Sequence, residues 1–161
     1  MRPAEQIRFL ILAAQREGNR QLAQALRPLG ITPSQGEVLR LLADRQPLTL
    51  SGLGELLVCE SGTNPSRLVD RLVAAGHISR AEAPHDRRTV TLTLTPHGTR
   101  VAAQITNIEE RMYQQLEAAG AGRDLDQVIG YLQTLTADQP AGRAVRLRTE
   151  HPAGSAGSSG R

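Results

Sequence analysis

The sequence predicts a mainly α protein carrying one small β-hairpin. Over most of its 161 residues, apolar side chains recur at helical spacing. Between Ile78 and Leu94 the period shortens to two, as in a strand with one buried face. Rings are scarce: Phe9, Tyr113 and Tyr131 are the only aromatic residues, so the core must be built from Leu, Val, Ile and Ala.

The first helix is expected from Ala4 to about Leu26, with Ile7, Leu10, Ile11, Ala14, Leu22 and Leu26 on one stripe and Pro28 and Gly30 ending it. Thr32 can cap a second helix whose first position suits Pro33; Val38, Leu39, Leu41 and Leu42 give its apolar face, and Pro47 stops it. Thr49 caps a short third helix through Leu53, Leu56 and Leu57, in which Gly52 and Gly54 each cost about 1 kcal/mol relative to Ala. Cys59 and Glu60 fall in the following turn. Ser61 is the expected cap of a fourth helix, which has Pro65 in its first turn, buries Leu68, Val69, Leu72 and Val73, and ends at Gly76. Ile78–Arg80 and Thr89–Leu94 read as the two strands, joined by the charged turn Ala83–Arg87. A long helix then runs from Thr95-Pro96 to about Ala119, broken by Gly120–Gly122, and Asp124 caps a last helix to about Leu135. From Ala137 the Pro, Gly, Ser and Ala content predicts disorder.

Composition narrows the function. The formal charge is +3, and all 19 basic residues are Arg, a bias of coding rather than of chemistry. From Met1 to Gln139, 15 Arg balance 15 acids; the tail holds Arg143, Arg146, Arg148 and Arg161 against Glu150. Net charge therefore argues weakly for nucleic acid, and local arrangement must carry the case. A single cysteine excludes an intramolecular disulfide. His77, His85, His97 and His151 have no i, i+4 pair, so neither a metal site nor a cofactor is expected. No apolar run is long enough for a membrane span and no signal peptide is visible, so a cytoplasmic protein is expected. No Gly-rich phosphate loop or catalytic triad context appears, which argues against an enzyme.

Two short helices joined by a tight turn and followed by a hairpin make a winged helix-turn-helix. In that arrangement the second helix enters the major groove of double-stranded DNA and its N-terminal side chains reach base edges. The candidates are Ser51, Ser61, Thr63, Asn64, Ser66 and Arg67, with Asn suited to adenine and Arg to guanine. Arg87 and Arg88 lie near the hairpin tip, where a side chain can enter the minor groove. Asp86 would be repelled by phosphate, so its expected role is to orient an Arg; Arg71 is expected in an ion pair that holds the wing, with Asp86 as its partner.

Three segments carry a family resemblance: SQGEVLRLLADR at Ser34–Arg45, SGTNPSRLVDRLVAAGHISR at Ser61–Arg80, and DRRTVTLTLTPHG at Asp86–Gly98. Together they resemble the multiple antibiotic resistance regulator (MarR) family, whose wing signature matches Asp86, Arg88, Leu94 and Thr95. The resemblance covers about Ala4 to Leu135. It implies an obligate homodimer with intertwined first and last two helices, a wing Asp that orients the wing Arg, and repression relieved by small phenolic ligands or by oxidation. The expected division is 1–30 and 99–136 for dimerisation, 31–98 for DNA binding, and 137–161 as a disordered basic tail. The sequence departs from the family pattern at Gly52, Gly54 and Cys59, and no cysteine precedes Cys59 where peroxide-sensing members carry one. Few aromatics point to aliphatic and Arg-lined walls for any ligand pocket.

The expected function is therefore that of a homodimeric, sequence-specific transcription regulator, a repressor released by a small-molecule effector at a pseudo-palindromic operator. Two alternatives stand beside it. One is thiol-based redox sensing through Cys59, although the neighbouring Glu60 should raise a thiol pKa. The other is a winged-helix protein–protein adaptor, which would leave Arg88 and Asn64 idle.

Overall fold

The computed structural model describes residues 1–58, 64–83 and 86–150, with the backbone alone at 83 and 86–88. Helix α1 spans Pro3–Leu26 and closes through a 3-10 turn at Arg27–Leu29 on Gly30, whose φ of 67° is left-handed and suits glycine. Helix α2, Pro33–Arg45, opens with a complete capping box: Thr32 Oγ1 accepts from the Gln35 amide, and Gln35 Oε1 accepts from the Thr32 amide at 2.9 Å. A two-residue strand β1, Leu48–Thr49, follows and leads into α3, Leu50–Leu56, where Thr49 Oγ1 accepts from the Gly52 amide. Helix α4 spans Pro65–Ala74; strands β2, Ile78–Ala83, and β3, Asp86–Leu94, come next. Three helices complete the chain: α5, Pro96–Ala119, α6, Leu125–Thr136, and α7, Pro140–Glu150.

The sheet is antiparallel in the order β1-β3-β2, with Leu48 opposite Leu92 and Ile78 opposite Leu94. Period-two alternation sets Val90, Leu92 and Leu94 on one face; Leu92 is buried there, whereas Val90, nearer the hairpin turn, is exposed. β1 is too short for any periodicity to reveal. It stays in place because Gln46 Oε1 accepts from the Leu94 amide at 2.7 Å. Both long strands run further toward the turn than Ile78–Arg80 and Thr89–Leu94, so Asp86, Arg87 and Arg88 open β3.

One core joins all of this. Leu26, Leu39, Leu42, Leu53, Leu72, Leu92 and Ile105 are essentially sealed from solvent, so α1, α2, α3, α4, the sheet and α5 bury a common apolar centre. By contrast, α6 buries none of its residues.

Two expectations are corrected. Disorder was expected from Ala137, yet Pro140–Glu150 is helical and docks on α3 and α6. Its Ala144 is buried, and Leu147 packs on the main core. The cap of the fourth helix is Asn64 rather than Ser61: Asn64 Oδ1 accepts from the Ser66 amide at 3.0 Å.

Candidate nucleic-acid interface

Helix α4 has one apolar face, Leu68, Val69 and Leu72, and this face is buried. The opposite face therefore points outward, with Arg67, Asp70 and Arg71 exposed. Ser66 is half-buried, and Ser51 is exposed at the start of α3. Arg67 and Arg71 make no ion pair among the described residues.

Asn64 also has a local task. Its Oδ1 caps α4, which uses one of the two lone pairs of that oxygen and leaves Nδ2 to donate elsewhere. The sequence carried the signal: an Asn directly before Pro65 is an N-cap followed by proline at the first helical position. Cys59, Ser61 and Thr63 lie outside the described residues. The side chains of Asp86, Arg87 and Arg88 do as well, although their backbone belongs to β3.

The wing is tied to α4 by a pair of its own: Arg80 of β2 donates to Asp70 of α4 at 2.5 Å. The expected Arg71–Asp86 pair turns on a side chain outside the described residues. Both side chains are about half exposed, so the pair orients more than it stabilises. Sequence reasoning passed over Arg80 because strand and helix meet there only in three dimensions. Across the hairpin, Ser79 and Thr93 share a hydroxyl hydrogen bond of 2.9 Å.

The winged unit meets α5 at a tight joint. The Thr95 amide donates to the His77 carbonyl at 3.0 Å, and Thr95 Oγ1 donates to the Gly76 carbonyl at 2.6 Å. Gly98 permits the approach: a Cβ there would stand 2.0 Å from the His77 oxygen. His77 is 7% exposed and stacks on His97 with ring centroids 4.7 Å apart. Burial, and then the neighbouring His97, push its pKa below the ordinary histidine value.

A cleft of about 400 Å3 opens between α1, α2, α5 and α7, where Leu22, Leu41 and Tyr113 meet Glu37, Arg40 and Arg148. Its charges are largely paired. Arg40 Nε donates to Glu109 at 3.0 Å, and Arg148 donates to Glu37. Burial pushes the Glu109 carboxyl up against the pull of Arg40, and burial together with Glu109 pushes the Tyr113 hydroxyl up. Tyr113 is thus an un-ionised donor at neutral pH.

Helix, turn, outward-facing helix and antiparallel hairpin define a winged helix-turn-helix protein. The family model for the MarR family matches residues 29–89. The chain is 31% identical to the organic hydroperoxide resistance transcriptional regulator of Bacillus subtilis, over 84% of this chain and 90% of that one. It is 32% identical to the multiple antibiotic resistance protein MarR of Salmonella typhimurium, over 82% and 81%. The chain belongs to the MarR family. Its relatives are transcription regulators, not enzymes. Among solved structures, the fold is similar to that of MepR from S. aureus in complex with DNA, with a TM-score of 0.73 at 24% identity, over 80% of this chain and 95% of that one. It is also similar to a mutant MarR of Escherichia coli complexed with operator DNA, with a TM-score of 0.64 at 28% identity, over 81% and 91%. No helix among the described residues is long and apolar enough to cross a membrane.

Proposed function

We propose that this chain is a homodimeric, sequence-specific DNA-binding repressor released by a small-molecule effector. The observation that carries the reading is α4: its apolar face is used up in the core, and its opposite face exposes Arg67 and Arg71 beside a wing whose second strand begins with Asp86, Arg87 and Arg88. The similarity to MarR in its operator complex supports the same placement. Arg67 reads a base edge from the major groove, and Arg88 enters the adjacent minor groove.

Uncovered apolar surface supports dimerisation. Val128, Ile129 and Leu135 of α6 are about half exposed, and Leu10 of α1 is 61% exposed. An apolar groove of about 680 Å3 runs between these helices, lined by Ile7, Leu10, Ile11, Val128, Tyr131 and Leu132. A patch on this scale is covered by a partner, here the same helices of a second copy. Footprinting on the intergenic DNA beside the gene should show two half-sites about 10 bp apart, centre to centre, on one face of the duplex. Half-sites on opposite faces would contradict the reading.

The effector is assigned to the 400 Å3 cleft at the junction of α1 and α5 with the winged unit. A molecule wedged there favours one spacing of the two recognition helices over another and shifts the population by that difference. With Arg40 and Arg148 already paired, the cleft suits a weakly polar molecule that accepts a hydrogen bond from Tyr113. The relative named for hydroperoxide resistance favours a second trigger, oxidation of the single thiol, Cys59. If Cys59→Ser still represses but no longer releases DNA under peroxide that releases the wild type, the thiol is the trigger.

A further inference from the structure

Helix α7 grips the exit of α3. Arg148 Nε donates to the Leu56 carbonyl at 2.8 Å, and its terminal nitrogen donates to the same oxygen at 2.6 Å. That carbonyl is the last of α3 and has no intrahelical partner of its own. The same guanidinium pairs with Glu37 of α2, and Glu37 Oε1 also accepts from the Val58 amide at 2.8 Å. Arg148 and Glu37 thus hold the backbone on both sides of Leu57, where the chain turns out of α3 toward α4. A return bond, from Arg45 to the Arg148 carbonyl at 2.6 Å, fixes α7 from its other side.

The far end of α7 is fixed equally firmly. Gly142 lies so close to the last turn of α6 that a Cβ there would stand 2.0 Å from the Thr136 carbonyl oxygen. The Gln139 amide donates to that same carbonyl at 3.0 Å. One short helix therefore links α6, whose apolar face the proposed dimer covers, to the end of α3, the helix that packs against the recognition helix α4.

We infer that α7 is a strap that positions the helix-turn-helix on the dimer layer, with Arg148 and Glu37 as positioning residues for operator recognition. The inference rests on the DNA-binding reading above. Specific binding needs both recognition helices at one spacing, whereas phosphate attraction does not. Loosening the strap therefore lowers operator affinity and leaves non-specific affinity in place.

The test uses the full chain, wild type and Arg148→Ala, in two measurements. Amide exchange at Val58 should accelerate about tenfold or more while exchange at Leu39 and Leu42 stays slow, because only the local grip is lost. Fluorescence anisotropy should show operator affinity reduced by about tenfold, within the usual range of coupling between sites, with random duplex at low salt bound as before. Should Arg148→Ala fail to fold, Arg148→Lys keeps the charge beside Glu37 and loses the fork onto Leu56; it should show the same pattern more weakly. Unchanged Val58 exchange, unchanged operator affinity, or an equal fall on both duplexes would overturn the strap. Failure of the wild type to bind any duplex would instead overturn the DNA-binding reading, and the wild-type titration separates the two.

Discussion

His77 sits where the recognition helix, the wing and α5 converge, and its buried Nδ1 has no hydrogen-bond partner among the described residues. Burial there disfavours the protonated ring. Because its folded pKa lies below the ordinary value, the unfolded chain binds more protons as the pH falls. Stability from this group is full above about pH 6.5 and is lost as the pH drops through the folded pKa. His77→Phe should flatten the acid limb of a thermal-melting profile; an unchanged limb would place the acid sensitivity elsewhere. At Gly98, alanine would drive Cβ into the His77 carbonyl, and overpacking of this kind costs about 1–3 kcal/mol. Calorimetry on Gly98→Ala should show a lowered melting temperature despite the better helix former. Asn64→Ala should cost about 1 kcal/mol through the lost cap, whereas Asn64→Asp should keep it. If both variants were equally stable, the capping account would be wrong. Arg88→Ala should weaken binding to all operators and lower the salt slope by about 1, as for one phosphate counterion released.

Helix α3 gives a cleaner element test, because its two glycines have different surroundings. A Cβ at Gly54 would meet only Pro65 Cγ at 4.0 Å, an ordinary contact, whereas at Gly52 it would press on the capping Thr49 Oγ1 at 3.2 Å. Gly54→Ala should therefore stabilise the protein by about 0.5–1 kcal/mol, and Gly52→Ala should gain less or nothing. Chemical denaturation that ranked them in the reverse order would contradict this. The same contrast explains what the sequence could reveal. Helices α1, α2, α4, α5 and α6 announced themselves through apolar stripes with a cap or a proline at the start, as with Thr32-Pro33 and Asp124, whose Oδ1 accepts from the Asp126 and Gln127 amides. Helix α7 has no such stripe. It is held by a small-residue contact at Gly142 and Ala144 and by the long reach of Arg148, and neither leaves a periodic trace. β1 is two residues long and gains its partner strand more than forty residues later. Among the candidate site residues, the exposure of Arg67 followed from the position of Leu68 and Val69, but the Asp70–Arg80 pair required the fold itself.

At the level of the whole molecule, two separate surfaces remain open, one apolar and one charged. Helices α1 and α6 leave apolar side chains uncovered, and sedimentation at micromolar concentration should give a dimer. A monomer there would remove the reason for paired half-sites. The proposed DNA surface is the outward face of α4 together with the wing. The body is neutral, with 15 Arg against 15 acids up to Gln139, so attraction to DNA must come from this local placement and not from overall charge. The most direct test of the central claim is fluorescence anisotropy with a labelled duplex of the intergenic DNA beside the gene, repeated over a range of salt. The account predicts tight binding at low salt that weakens steeply and linearly in log affinity against log salt. Absence of binding even at low salt would contradict it and favour a winged-helix protein that contacts only other proteins.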